Sequence, residues 1–424
     1  MNRRRFLHAA GAGVALSALA SRGSRAAAAR PRVLVVGGGY GGAAAAKYVR
    51  LWSGGSIEVT LVDPESDFIS CPLSNLVLGG ARRIDDLTMS RDGLSRRHGV
   101  TIVRDRVETI DVERRSVRLS TGAILPFDRL ILSPGVDFIW DQLPGMQKAG
   151  ARDRILHAWK AGRQTTALRA QLEAMPDGGT FVMTIPPAPY RCPPGPYERA
   201  CQVAYYFSRH KQRSKVLVLD ANPDVVSKGS LFKRVWEERY GSIIEYRPGF
   251  RTVDVDPGTL TVVSELDDRQ DASVLNVIPP QRAGRIAVQT GLAKANERWC
   301  EVDFLTFESS EAKGIHVLGD AIQTAALMPK SAHMANQHAK VCAAAVVDLL
   351  SDRAPDPSPM LTNTCYSFVS DKDVIHVASV HAYDPDKRTL IAVRGSGGVS
   401  AAESELEGVY AASWASNIWA DTLA

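Results

Sequence analysis

Residues 30–52, RPRVLVVGGGYGGAAAAKYVRLW, decide the fold. Arg32 to Val36 read as a short buried strand, Gly37-x-Gly39-x-x-Gly42 as a turn, and Ala43 to Trp52 as a helix. A second strand, Ile57 to Val62, ends at Asp63. Strand, glycine turn, helix, strand and a terminal acid are the parts of a dinucleotide-binding βαβ unit. Gly37 makes the tight turn, Gly39 lets a pyrophosphate approach the backbone at the helix N-terminus, and Gly42 lets helix and strand pack closely. Asp63 can accept a hydrogen bond from a ribose hydroxyl.

Two later stretches point to FAD rather than NAD as the dinucleotide. RLILSPGV (129–136) is a strand running into a small-residue turn, after a hairpin-like RSVRLSTGAILPFD. KGIHVLGDAI (313–322) is a strand ending in Gly319-Asp320, a pair that resembles the Gly-Asp of flavoprotein disulfide reductases, whose Asp holds the ribityl chain. A long helix follows, starting near Pro329 with Lys330 at its head. Its N-terminus, aimed at the flavin pyrimidine ring, would stabilise the negative charge of reduced flavin. Lys330 therefore joins Gly319 and Asp320 as an expected cofactor-binding residue. The expected FAD domain is split, residues 30–150 and 276–360, around an inserted domain, 151–275. The smaller C-terminal domain is 361–424.

The inserted domain repeats the βαβ rhythm with a different junction. A strand, Thr180 to Ile185, runs into PPAPYRCPPGPYERAC (186–201), then a helix to about Lys211 and a strand, Ser214 to Asn222. An NADH-binding junction would be glycine-rich. This one holds six prolines between Pro186 and Pro196 and a single glycine, Gly195. Proline offers no N–H to a phosphate and stiffens the loop, so a nicotinamide dinucleotide has no seat here. Cys192 lies in that stiff loop and Cys365 opens the C-terminal segment. Together they suggest a redox disulfide facing the flavin, against the competing reading of two packed core thiols.

The fold class is thus α/β: two Rossmann-like domains, glutathione reductase-like in plan, plus the C-terminal domain. NRRRFLHAAGAGVALSALA followed by SRAAAAR reads as a twin-arginine export signal over residues 1–29, which implies a periplasmic protein. The apolar run there is too short to span a bilayer, and no later segment is long and apolar enough. The excess of basic residues over acidic ones, +5, sits entirely in the five arginines of that segment. The remainder is balanced, which argues against nucleic acid or an anionic membrane as partner. The six cysteines contain no CxxC pair or CxxCH, so neither zinc nor a c-type haem is expected on this chain. His333 and His338 share one helix without a third ligand, and Cys201 and Cys342 fall in apolar helix patterns and read as core.

At this point the chain resembles a known family, the flavoprotein subunit of flavocytochrome c sulfide dehydrogenase. The carrying stretches are VVGGGYGGAAAAKYVR, DFISCPLSNLVLGG, HAWKAGRQTTALRAQLEAMPDGGT, RCPPGPYERACQVAYYF, NVIPPQRAGRIA, TFESSEAKGIHVLGDA and NTCYSF, which cover nearly all of the chain beyond the signal. The resemblance implies an FAD-dependent sulfide dehydrogenase. It implies that Cys71 carries FAD through a thioether to the flavin 8α carbon. Cys192 and Cys365 match the redox disulfide, Glu198 a nearby proton acceptor, and Trp414 an aromatic near the flavin. Hydrosulfide would open the disulfide, FAD would take two electrons, and a c-type cytochrome subunit docked on the C-terminal segment would receive them singly. Two residues depart from the family pattern: Asp63, where the family often has Glu, and Pro72, where it can have an aromatic.

Three other functions compete. A sulfide:quinone oxidoreductase would share FAD and the cysteines but would need a membrane-binding segment, for which the tail GVYAASWASNIWADTLA (408–424) is mildly amphipathic but lacks a basic face. An NAD(P)H-dependent reductase is opposed by the proline junction. A non-catalytic FAD-binding partner in sulfur oxidation would bind flavin without sulfide-driven turnover.

Overall fold

The computed structural model describes residues 30–424. The arginine-rich segment read as an export signal, residues 1–29, lies outside the described residues. In the first domain, β1 (Arg32–Val36), α1 (Tyr40–Trp52) and β2 (Glu58–Val62) follow one another as expected. β3 (Thr101–Val103), β4 (Arg129–Leu132) and, 183 residues further on, a strand at Ile315–Val317 complete one parallel sheet. α1 starts at Tyr40, three residues before the expected Ala43, with Gly39 as its N-cap. The reason is space. A methyl on Gly41 would meet Leu318 and Ser133, and one on Gly42 would run into the Gly37 carbonyl. The glycines are therefore spent inside the helix as well as in the turn.

The inserted domain is a second parallel sheet built from β5 (Thr180–Ile185), β6 (Lys215–Asp220), β7 (Ile244–Pro248) and β8 (Val274–Val277). Its order is β7-β6-β5-β8. Because β8 pairs with β5 from Phe181↔Val274 to Thr184↔Val277, the domain runs through Val277, past the expected boundary at 275. Buried Val, Leu, Ile and Phe residues cover both faces of this sheet, as a parallel sheet between two layers requires. α2 (Gly195–His210) follows β5, and α3 (Gly229–Tyr240) follows β6. α2 begins at Gly195, inside the stretch read from sequence as the junction. Pro196 sits in its first turn, where a missing N–H costs nothing.

With β9 naming the Ile315–Val317 strand, α4 (Ala332–Leu349) returns the chain to the first domain. The Ser331 hydroxyl accepts from Met334 N and caps its start. The C-terminal segment is an antiparallel sheet of β10 (Met360–Phe368), β11 (Val374–Asp384) and β12 (Thr389–Ala392), followed by α5 (Glu405–Leu423). α5 buries Ala411, Ala415, Ile418 and Leu423 against the body and leaves Leu406, Val409 and Tyr410 exposed. Among the described residues no helix is long and apolar enough to cross a membrane.

Candidate active site

The dinucleotide turn has the shape its glycines predict. Gly37 has φ +97, where a side chain would be strained and would collide with the Ser133 carbonyl. Around Gly39 a Cβ would meet nothing within 4 Å, which leaves the helix N-terminus open to a phosphate. Asp63 is largely committed within the protein: it accepts from Gly38 N at 2.5 Å and Glu65 N at 2.9 Å and pairs with Arg91 at 3.5 Å. A carboxylate has room for about four hydrogen bonds, so one direction stays free for a ribose hydroxyl. Gly319 (φ +73) and Asp320 close the far end. Asp320 Oδ1 is buried without any partner, and burial raises its pKa against the opposing charges of Arg191 and Lys330. An orphaned buried acceptor at the end of a strand is what a ligand hydroxyl would satisfy. These residues fit a flavin dinucleotide. Lys330 does not reach toward it: Nζ donates to the Asp320 carbonyl at 3.0 Å and the Ile322 carbonyl at 2.5 Å, and lies 3.6 Å from the centroid of the Trp299 ring. It braces the turn that presents Asp320.

The three residues read as catalytic come together from distant parts of the chain. Cys192 has φ +58, a strained setting for a non-glycine residue. Its N–H donates to the Lys330 carbonyl and its carbonyl accepts from Gly195 N, both at 2.8 Å, which ties the proline loop to the head of α4. Cys365 lies mid-strand in β10, opposite Val377, with Asn363 Nδ2 3.4 Å from its sulfur. Both cysteines stand as free thiols, so the structure brings them together without a bond between them. Burial pushes Cys192 up, and the nearby charges of Cys365 and Glu198 push it further. Glu198, in the first turn of α2, is 8% exposed. Its carboxylate accepts from Phe368 N at 3.2 Å and Asn75 Nδ2 at 3.3 Å. Burial pushes its pKa up to about 7, against the Phe368 hydrogen bond and the charge of Lys228. A carboxyl poised there can take or give a proton near neutrality. A cavity of about 330 Å³ opens beside the pair, lined by Tyr190, Pro193, Pro194, Lys330, Asn363 and Cys365.

Cys71 sits half-buried in a turn closed by Ser74 N donating to its carbonyl at 3.1 Å. Pro72 occupies the second position of that turn, where its fixed φ is favourable, and Leu73 takes φ +71 at the third. The departure at Pro72 therefore shapes the loop without disrupting it. Arg191, which the sequence reading passed over, lies close enough to Cys71, Asp320 and Cys192 to feel all three as negative charges. It thus links the cysteine loop to the dinucleotide site. Trp414 stands 5.8 Å from His333 and 6.1 Å from Tyr366, ring to ring. Trp419, also missed, reaches further in: its indole N–H donates to Tyr40 Oη at 3.0 Å, and Tyr40 in turn shares a 2.7 Å hydrogen bond with Ser70, next to Cys71.

The second domain has filled its own nucleotide seat. Asp220, at the end of β6, corresponds in position to the acid that would hold a ribose. It is fully buried and accepts from Tyr197 Oη at 2.7 Å, Tyr246 Oη at 3.0 Å and Asn222. Tyr190 donates to Tyr197 at 3.4 Å and closes the cluster from the proline loop.

Family descriptions match along this frame. Residues 31–171 match "Pyridine nucleotide-disulphide oxidoreductase". Residues 165–279 match "Sulfide dehydrogenase [flavocytochrome c] flavoprotein chain, central", and 357–423 match "Flavocytochrome c sulphide dehydrogenase, flavin-binding". A sulfide dehydrogenase [flavocytochrome c] flavoprotein chain from Chlorobaculum thiosulfatiphilum is 59% identical over 46 residues, 11% of this chain and 94% of that short sequence. The chain belongs to this flavoprotein family. The second of the three matched segments ends at residue 279, in keeping with a second domain that extends through β8. A mitochondrial sulfide:quinone oxidoreductase from Dictyostelium discoideum is 22% identical over 304 residues, 68% of this chain and 65% of the relative's length. The sulfide:quinone oxidoreductase from Aquifex aeolicus has the same fold, with TM-score 0.74 and 16% identity over 92% of this chain and 91% of that one.

Proposed function

We propose that this chain is the catalytic flavoprotein of a sulfide dehydrogenase. A hydrosulfide bonds to one sulfur of a Cys192–Cys365 disulfide; the disulfide bond breaks, and its electron pair leaves on the other sulfur as thiolate. A second hydrosulfide attacks the outer sulfur of the resulting persulfide and carries it off as a disulfane. That leaves both cysteines as thiolates, and the disulfide re-forms as the pair gives up two electrons. Glu198 accepts the proton of each incoming sulfide. The Gly37–Gly42 turn, Asp63 and Asp320 would hold FAD, with Cys71 as its point of attachment, and FAD bound there would supply a two-electron acceptor able to release electrons singly to a c-type cytochrome subunit. The segment read as a twin-arginine signal supports a periplasmic location, and the C-terminal segment serves as docking face.

The observation that supports this reading most is the clustering of Cys192, Cys365 and Glu198 within reach of one another's charge, beside a cavity that Cys365 lines, while tyrosines fill the second nucleotide seat. The deciding experiment is anaerobic stopped-flow reduction of the bound flavin by sulfide. Cys192→Ser and Cys365→Ser should each slow it at least 100-fold with flavin content unchanged. Wild-type rates in either variant would remove the disulfide mechanism, and bleaching by NADH would overturn the reading altogether. A quinone acceptor is the second reading, favoured by the exposed Leu406, Val409 and Tyr410 on α5. Turnover with a soluble quinone but not with cytochrome c would select it.

A further inference from the structure

Lys228 takes no part in the chemistry above, yet it is built into the same site. It precedes α3 with φ +57, another left-handed non-glycine residue, and is 7% exposed. Its ammonium donates to the Cys365 carbonyl at 3.0 Å and to Ser367 Oγ at 2.7 Å, both on β10. Among the described residues it has no carboxylate within 4 Å, so both of its hydrogen-bond acceptors are neutral. A buried ammonium in that position is costly unless negative charge lies close by.

The groups that can supply that charge are few. From β10 Lys228 faces Cys365, from the proline loop and α2 it faces Cys192 and Glu198, and from α5 it faces Glu407. Cys365 exerts the largest pull on it, and burial brings its own pKa down to about 8. The relation holds in reverse. Burial raises the Cys365 thiol, and Lys228 leads the groups that draw it back, ahead of Asn363 and Ser331. Cys192 is served first by a different cation, Arg191. Each sulfur therefore has its own positive neighbour.

We propose that Lys228 is a positioning residue of this site, whose ammonium, anchored on the Cys365 carbonyl, offsets part of the cost of a Cys365 thiolate whenever the Cys192–Cys365 bond is open. The proposal rests on the reading of that pair as a redox disulfide. A rival role is purely mechanical, a tether between the inserted domain and β10.

Alkylation of the reduced protein separates the two. Cys365 lines the cavity, so iodoacetamide can reach it, and peptide mapping reports its modification alone. The rate is followed from pH 7 to 11 in wild type, K228Q and K228R. Glutamine keeps donors for both acceptors but is neutral, while arginine keeps the charge. K228Q should move the Cys365 midpoint upward by about one pH unit or more, roughly tenfold slower alkylation at pH 7, and K228R should stay near wild type. A wild-type profile in K228Q overturns the proposal, as does a K228R profile shifted as far as that of K228Q. If K228Q and K228M both fail to fold while K228R folds, Lys228 is a tether and the proposal falls. Non-reducing mapping of the unreduced wild type tests the underlying reading separately. Absence of a Cys192–Cys365 peptide would sink the disulfide itself, whereas its presence with an unmoved profile would sink only the role of Lys228.

Discussion

At the scale of single residues, the site depends on placing ionisable groups where water cannot reach them. Glu198 is the clearest case, with burial raising it from 4.5 to about 7. The sign follows from linkage: the fold favours protonated Glu198, so its stabilising share is complete below about pH 4.5 and is lost as pH rises through about 7. Glu198→Gln removes that dependence. Urea unfolding at pH 5 and pH 8 should therefore show the variant gaining on wild type at the higher pH, by on the order of 3 kcal/mol. In sulfide-driven flavin reduction the same variant should be slower and lose the limb that rises near pH 7. An unchanged profile would make Glu198 a structural acid serving Phe368 and Asn75. Cys71 gives a separate test. Acid precipitation should leave flavin with the wild-type protein and release it from Cys71→Ser; release from both would remove the thioether.

Among elements, the junction between β5 and α2 carries the most information. Its prolines set a rigid loop and start α2 early, and the first turns of α2 deliver both Glu198 and Arg199 to the interior. Arg199, 2% exposed, donates to Asn75 Oδ1, Asn276 Oδ1 and the carbonyls of His157 and Ala158 at 2.6–3.1 Å. It joins α2 to β8 and to the 157–158 loop. Arg199→Ala would strand several buried acceptors and should cost at least about 3 kcal/mol in chemical denaturation. A loss under 1 kcal/mol would show that the loop holds itself. The proline junction was legible in the sequence because composition is local: six prolines near one glycine exclude a phosphate cradle without any knowledge of the fold. The glycine turn was legible for the same reason. Arg199, Asn75 and Lys228 were not, because nothing in their own neighbourhoods marks them. Their meaning comes from partners 41 to 139 residues away. The tyrosine seal on Asp220 was hidden likewise, since Tyr197 and Tyr246 meet the acid only once α2 and β7 have packed against β6.

On the scale of the whole molecule, α5 fastens the far end of the chain to the first domain. Asp421 accepts from Tyr48 Oη at 2.5 Å and Asn336 Nδ2 at 2.8 Å and pairs with Lys340 at 2.9 Å, while Lys47 donates to the carbonyls of Ala420 and Asp421. Asp421→Ala should loosen this latch, lowering stability by about 2–3 kcal/mol and speeding amide exchange at the C-terminal end of α5 ahead of the rest. Uniform exchange across the molecule would show that α5 is held by its apolar face alone. From sequence α5 was only a mildly amphipathic tail, since part of its grip comes from Lys47 and Tyr48, more than 370 positions upstream. The contact between Tyr40 and Trp419 spans 379 positions. A ribosome has made the glycine turn long before it makes the indole that leans on Tyr40 beside Cys71. The first βαβ unit can collapse during synthesis, but its edge near the cysteine loop stays unsealed until the last turns of α5 emerge. Closure of the flavin site therefore waits on α5, whose Trp419 lies 379 positions beyond the Tyr40 it covers.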